Sequence, residues 1–252
     1  MKKIFLIIEF FIGFWLIACT PTQNNKVTIA AAANMQFALV EITNAFTVES
    51  GIETETILGS SAKLNAQIKE GAPFQVFVSA DMNFPQDLFE SGFTVAKPRI
   101  YANGTLVLWS FKNEVLPSFE LIETDQVKHF AIPNPKTAPY GIAAMQVLNS
   151  NGYYSKIHNK LVYGESVGQT NQFIITGAAQ IGLTSKSVVM SSEMRNKGNW
   201  IEISENLHEP ISQGIVLIKR KQEVSKDAQE FYEFLFSDTA QSILEKYGYR
   251  LP

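Results

Sequence analysis

The chain has 252 residues, a formal net charge of −3, 18% charged residues and a single cysteine. One cysteine excludes an intrachain disulfide and a cysteine-built metal cluster, and the lack of any basic run argues against nucleic acid as a partner. His129, His158 and His208 are scattered without metal-ligand spacing, so neither a protein-ligated metal nor a cofactor is expected.

The opening MKKIFLIIEFFIGFWLIACT sets Lys2 and Lys3 ahead of an apolar run ending at Leu16-Ile17-Ala18-Cys19. This is the pattern of a bacterial lipoprotein signal, in which a small residue precedes the cysteine whose thiol carries the lipid. Residues 1–18 are read as signal peptide, Cys19 as the lipidated residue and 19–26 as a polar tether. The body is therefore expected to be exported and held at a membrane, facing the periplasm or the outer cell surface.

From Val27 short apolar runs alternate with helical periodicity. VTIAAAA predicts a strand, and Ala38, Ile42, Ala45 and Phe46 share the face of a helix that Gly51 ends. A strand over 53–58, a helix carrying Leu64 and Ile68 that Gly71 and Pro73 stop, a strand over 74–80, and a helix capped by Asp81 and ended by Gly92 follow. The second half repeats the alternation, with strands at 105–110, 129–133, 160–164 and 180–185 and helices at about 140–148 and 168–176. A strand over 213–220 and helices over 225–236 and 238–247 finish the chain. This order implies an α/β fold of two lobes, each a mostly parallel sheet flanked by helices, in which ligands meet the carboxyl ends of strands. The expected division is 27–103 with 212–252 in lobe 1 and 104–211 in lobe 2, with crossovers near Tyr101 to Thr105 and Pro210 to Gly214.

Four strand-to-helix junctions draw attention: AAANM at 31–35, GSSAKL at 59–64, NPKTAPYG at 134–141 and GESVG at 164–168. Their small residues would let the first N–H groups of each helix point outward unobstructed. Each helix N-terminus acts as about half a positive charge, so four converging would offset roughly two negative charges without Lys or Arg. A small dianion fits, although Ser60, Ser61, Asn34 and Ser166 are equally ordinary N-caps, Tyr140 equally a core aromatic, and Lys63 and Lys136 equally solvated.

The stretch VTIAAAANMQFALVEITNAF and the motif G-S-S-x-x-L-x-x-Q-I-x-x-G-A-P-x-x-V-F-x-S-A-D, beginning at Gly59, resemble the substrate-binding proteins of bacterial molybdate ABC transporters, a likeness running from about Val27 to Tyr247. The resemblance implies a type II periplasmic-binding-protein-like fold and a monomer that captures molybdate or tungstate in an interlobe cleft and delivers it to a membrane permease. Residue by residue, it implies Asn34, Ser61, Tyr140 and the amide of Val167 as oxyanion contacts. Members with Ala at the place of Tyr140 carry a tyrosine in a G-I-V-Y stretch. This chain has Gly182-Leu183-Thr184-Ser185 there, a departure that leaves Tyr140 to supply the phenol and makes Ser185 the fifth position of the set.

The sequence admits two other readings. One keeps the cleft and changes the cargo to another tetrahedral oxyanion such as sulfate. The other is a serine acyl-enzyme of the penicillin-binding type, because Ser60-x-x-Lys63, Tyr101-x-Asn103 and Lys136-Thr137-Ala138 approach its motif set in order. Pro135 and Pro139 bracket the third element and exclude the strand edge such chemistry needs, so no enzyme is expected.

Overall fold

The computed structural model describes residues 26–150, 152–219 and 224–252. The signal, Cys19 and nearly all of the tether lie outside the described residues.

Two sheets divide the chain. The first half supplies β1 (Val27–Ala32), α1 (Gln36–Ser50), β2 (Thr54–Gly59), α2 (Ser61–Lys69), β3 (Val76–Val78), α3 (Asn83–Glu90) and β4 (Arg99–Gly104). After Thr105 come β5 (Leu106–Ser110), α4 (Phe119–Glu123), β6 (Phe130–Pro133), α5 (Pro139–Ser150), α6 (Tyr153–Ile157), β7 (Leu161–Gly164), α7 (Val167–Ile175), β8 (Ile181–Ser185), α8 (Lys186–Val189) and β9 (Asn199–Glu202). The chain then returns through β10 (Ile211–Leu217), α9 (Lys226–Phe234) and α10 (Asp238–Lys246). The sheet orders are β2-β1-β3-β10-β4 and β7-β6-β8-β5-β9.

The sheets repeat one design. In each, three parallel strands are followed by one antiparallel strand that the chain brings across from the other sheet: β10 joins β3 antiparallel in the first, and β5 joins β8 antiparallel in the second. Only Thr105 separates β4 from β5, and residues 203–210 lead from β9 to β10, so the lobes are linked by two narrow connections.

Apolar side chains pack on both faces of the first sheet. Ile29 and Ala31 point to Leu39, Ile42, Phe46 and Phe231, while Ala30 and Phe77 point to Leu64, Ile68 and Leu88. Trp109, Phe130, Ile132 and Leu183 anchor the second core. The helices begin and end where the sequence directs. Ser60 and Ser166 cap α2 and α7 by accepting from Lys63 N and Gln169 N, and Gly51 closes α1 at φ 75°.

Boundary differences have local causes. The strand expected over 74–80 is regular only at 76–78, because Ser79 N turns to Gly214 O and Ala80 N to the Ser61 hydroxyl. Asp81 does receive Phe84 N at 3.3 Å, but α3 starts two residues later. The sequence reading placed no strand at β4 or β9 and no helix at α4, α6 or α8. Among the described residues no helix is long and apolar enough to cross a membrane.

Candidate functional site

The carboxyl ends of β1, β2, β6 and β7 face one another across the junction of the lobes, and the four turns singled out in the sequence meet there. A small recess is lined by Asn34, Ser61, Tyr140 and Val167, with Ala32, Ala33, Gly59 and Ala80 supplying small walls. No lining residue carries a charge. All four are buried: Asn34 and Ser61 are 1% exposed, Tyr140 0% and Val167 4%.

Each is placed by the start of a helix. Asn34 sits in the single 3-10 turn Ala33–Met35 that runs into α1. Ser61 is the first residue of α2 behind its cap Ser60, and Val167 the first of α7 behind Ser166. Tyr140 follows Pro139, which opens α5 with no N–H to lose. At Gly141 a Cβ would run into the backbone of residues 133–135, so only glycine lets α5 begin so close to the end of β6. First-turn N–H groups have no acceptor within their own helix; Lys63 N and Gln169 N are met by the caps and Ala62 N by Thr137 O, while Ser61 and Val167 stand on the recess wall.

The side chains are tied into a buried polar network. Ser61 Oγ accepts from Ala80 N at 3.1 Å, which leaves its own hydrogen free to donate. Asn34 Nδ2 donates to Gln213 Oε1 at 2.9 Å and to Tyr249 OH at 3.0 Å, while Asn34 Oδ1 is buried without a protein partner among the described residues. The Tyr140 hydroxyl receives Gln213 Nε2 at 3.1 Å and lies 3.1 Å from Ser185 Oγ. Burial pushes the Tyr140 phenol well above its ordinary range, so it stays protonated and able to donate. Tyr249, also buried, is pushed up to about 12.

Ser185 is fully buried but stands behind the recess rather than on its wall, its Oγ 3.1 Å from the Tyr140 hydroxyl and 2.7 Å from Ser187 Oγ. The sequence reading missed Gln213, Tyr249, Tyr101 and Ser187, which belong to the network. Ser187 Oγ donates to Asn34 O at 2.7 Å and so bridges the lobes. No spacing signal singles these residues out, since their proximity arises only when β10 packs between β3 and β4, the C-terminal segment joins β4 and the two lobes meet.

Closer to solvent the lobes meet again. Ala62 N donates to Thr137 O at 3.2 Å and Lys63 Nζ lies 3.8 Å from Glu165 Oε1, while Thr137 Oγ1, donating to Glu165 O at 2.7 Å, joins the two partner turns within the second lobe. Lys63 therefore turns outward to a carboxylate, and Ser60 Oγ is occupied as a cap on Lys63 N at 3.4 Å, so the S-x-x-K pair is not joined as nucleophile and base. Among the described residues no group of three or more His, Cys, Asp or Glu could hold a metal ion.

Two lobes on paired crossovers, closing on a buried recess of neutral donors, define a solute-binding protein architecture. The chain belongs to the family of bacterial extracellular solute-binding proteins, whose profile matches residues 27–250. It is 36% identical over 242 residues, 95% of each chain, to the molybdate-binding protein ModA of Azotobacter vinelandii, and 36% over 230 residues to that of Rhodobacter capsulatus, covering 91% of this chain and 90% of that one. A putative ABC transporter substrate-binding lipoprotein of Bacillus subtilis is 30% identical over 258 residues, 98% of each. The solved structure of the Azotobacter vinelandii periplasmic molybdate-binding protein superposes with a TM-score of 0.85 at 31% identity, covering 90% of this chain and all of that one.

Proposed function

We propose that this protein captures molybdate or tungstate in the recess between its lobes and delivers it to the membrane permease of an ABC transporter. The observation that carries this reading is the convergence of Asn34, Ser61, Tyr140 and Val167 on one buried recess whose lining holds no charged side chain. Four helix starts supply electrostatic compensation for a dianion, and hydroxyl and backbone amide donors match an oxyanion that only accepts. The names of the full-length relatives point the same way.

The lobes are 27–103 with 212–252 and 104–211, and they hinge at Thr105 and in the 203–210 segment as the anion is enclosed. The protein acts as a monomeric carrier without catalysis of its own. It is exported and held at the membrane through a lipid on Cys19, in keeping with the lipoprotein named among its relatives.

Thermal unfolding with molybdate, tungstate, sulfate and phosphate in parallel tests the reading, because a ligand that binds only the folded state raises its stability. Molybdate and tungstate are expected to raise the midpoint, and phosphate, which carries a proton near neutral pH, to leave it unchanged. A larger shift with sulfate would overturn the assignment of cargo.

A further inference from the structure

Gln213 is fully buried at the centre of the polar network. Strand β10 shifts register between Gln213 and Gly214 where it pairs with β4, a bulge of the kind that re-aims a side chain. A Cβ at Gly214 would lie 2.6 Å from Met82 Sδ and 3.2 Å from Asp81 O, so the bulge favours the small residue found there. Gln213 Oε1 accepts from Tyr101 OH at 2.7 Å and from Asn34 Nδ2 at 2.9 Å, and Nε2 donates to Tyr140 OH at 3.1 Å. Strand β4 makes room for that last contact, since a Cβ at Gly104 would overlap both the Tyr140 hydroxyl and Gln213 Nε2.

We infer that Gln213 is a positioning residue that keeps the Tyr140 phenol a donor toward the oxyanion site, while its other end ties Asn34 across the lobe junction. The inference rests on the oxyanion reading above. An amide has one accepting end and one donating end, and here the donating end faces Tyr140. With Gln213 Nε2 donating to the Tyr140 oxygen, the phenol's own hydrogen is turned away from Gln213 and is available to an acceptor-only anion. An acceptor in place of Nε2 would draw that hydrogen back and turn a lone pair toward the anion. Gln213 does not line the recess, so it acts through the two residues it holds.

The titratable groups around Gln213 are the phenols of Tyr101 on β4, Tyr140 on α5 and Tyr249 at the C-terminal end, all kept neutral by burial, and Asp81, whose backbone oxygen accepts from Gly214 N. Wild-type affinity measured at each pH accounts for their titration.

The test is calorimetry with molybdate on the full-length protein and on Gln213→Glu and Gln213→Met, from about pH 6 to about pH 9. Gln213→Glu keeps the shape and the oxygen facing Tyr101 and Asn34. Its ionised carboxylate accepts from Tyr140, while its protonated carboxyl donates as the amide did. Relative to wild type it is expected to bind roughly 30-fold more weakly at the high end and to recover to within about threefold at the low end, as the buried carboxyl takes up its proton. Gln213→Met, which can neither donate nor accept and tolerates burial, is expected to bind about tenfold more weakly at every pH. Wild-type affinity in Gln213→Met, or a folded Gln213→Glu whose deficit is independent of pH, overturns the inference. A wild-type protein that binds no molybdate overturns the oxyanion reading and this inference with it.

Discussion

The recess and the outer rim of the cleft join the same two lobes by opposite means. Inside, Asn34, Ser61, Tyr140 and Val167 are buried and uncharged, and the lobes are bridged by neutral hydrogen bonds such as Ser187 Oγ to Asn34 O. At the rim, Lys63 and Glu165 form an ion pair with side chains 55% and 56% exposed. A charge is inexpensive where water screens it and costly where water is excluded. The difference teaches that the inner surface is built to compensate a charge brought by a ligand, while the rim adds a weak contact between lobes that is indifferent to what lies inside.

If that contrast is right, inner substitutions should change affinity far more than rim substitutions. The largest effect is expected from Ser61→Ala, which removes a donor for the anion and also strands Ala80 N without its acceptor. Molybdate affinity should fall by about 1 to 3 kcal/mol, with a smaller loss of thermal stability, as read by calorimetry and unfolding. Asn34→Ala should weaken binding on a similar scale. Val167→Pro sharpens the comparison. Val167 is the first residue of α7, a position where proline is tolerated, so the substitution deletes one amide donor and little else. Binding should weaken by about 1 to 3 kcal/mol while the unfolding midpoint stays close to wild type. At the rim, Lys63→Ala and Glu165→Ala should each alter affinity by less than about 1 kcal/mol. An effect as large as that of Ser61→Ala would break the contrast.

The smallest effect concerns Asp81, a half-buried carboxyl beside the lobe junction whose titration is displaced upward chiefly by burial, with Ser79 opposing. Between its unfolded and folded titration ranges the native state binds the extra proton, so stability should decline as pH rises through that window. Asp81→Asn keeps the oxygen that receives Phe84 N and should flatten this part of the pH profile in denaturant titrations.

Much of the fold was legible because its strands and helices obey simple periods. Phe130–Pro133 and Ile181–Ser185 are buried along their whole length and Val27–Ala32 at every residue but Thr28, which in a sequence reads as a plain apolar run. Strand β4 was hidden because Asn103 and Gly104 look like a turn. Its partners are β10 and, through Asn103 N to Arg250 O at 2.7 Å, the C-terminal end, both distant in sequence. Strand β2 shows the reverse. Its exposed Glu55 and Thr56 mark an edge strand, which fits poorly with runs apolar on both faces.

The candidate site divides in the same way. Asn34, Ser61, Tyr140 and Val167 stand in turns whose small residues and caps are local features. Their convergence depends on two sheets meeting at their carboxyl ends. Gln213 and Tyr249 carry no local signal, since a glutamine in a strand and a tyrosine near the end of a chain have many uses. Their part follows only from the distances of 2.9 and 3.0 Å to Asn34 that the packed structure creates.

The measurement that bears most directly on the account is a crystal structure grown with tungstate, whose heavy atom marks its own position. The account predicts one strong peak in the recess, with oxygens within hydrogen-bond distance of Asn34, Ser61, Tyr140 and the Val167 amide. A peak beside exposed cations such as Lys63 or Lys136, with the recess unfilled, would contradict it.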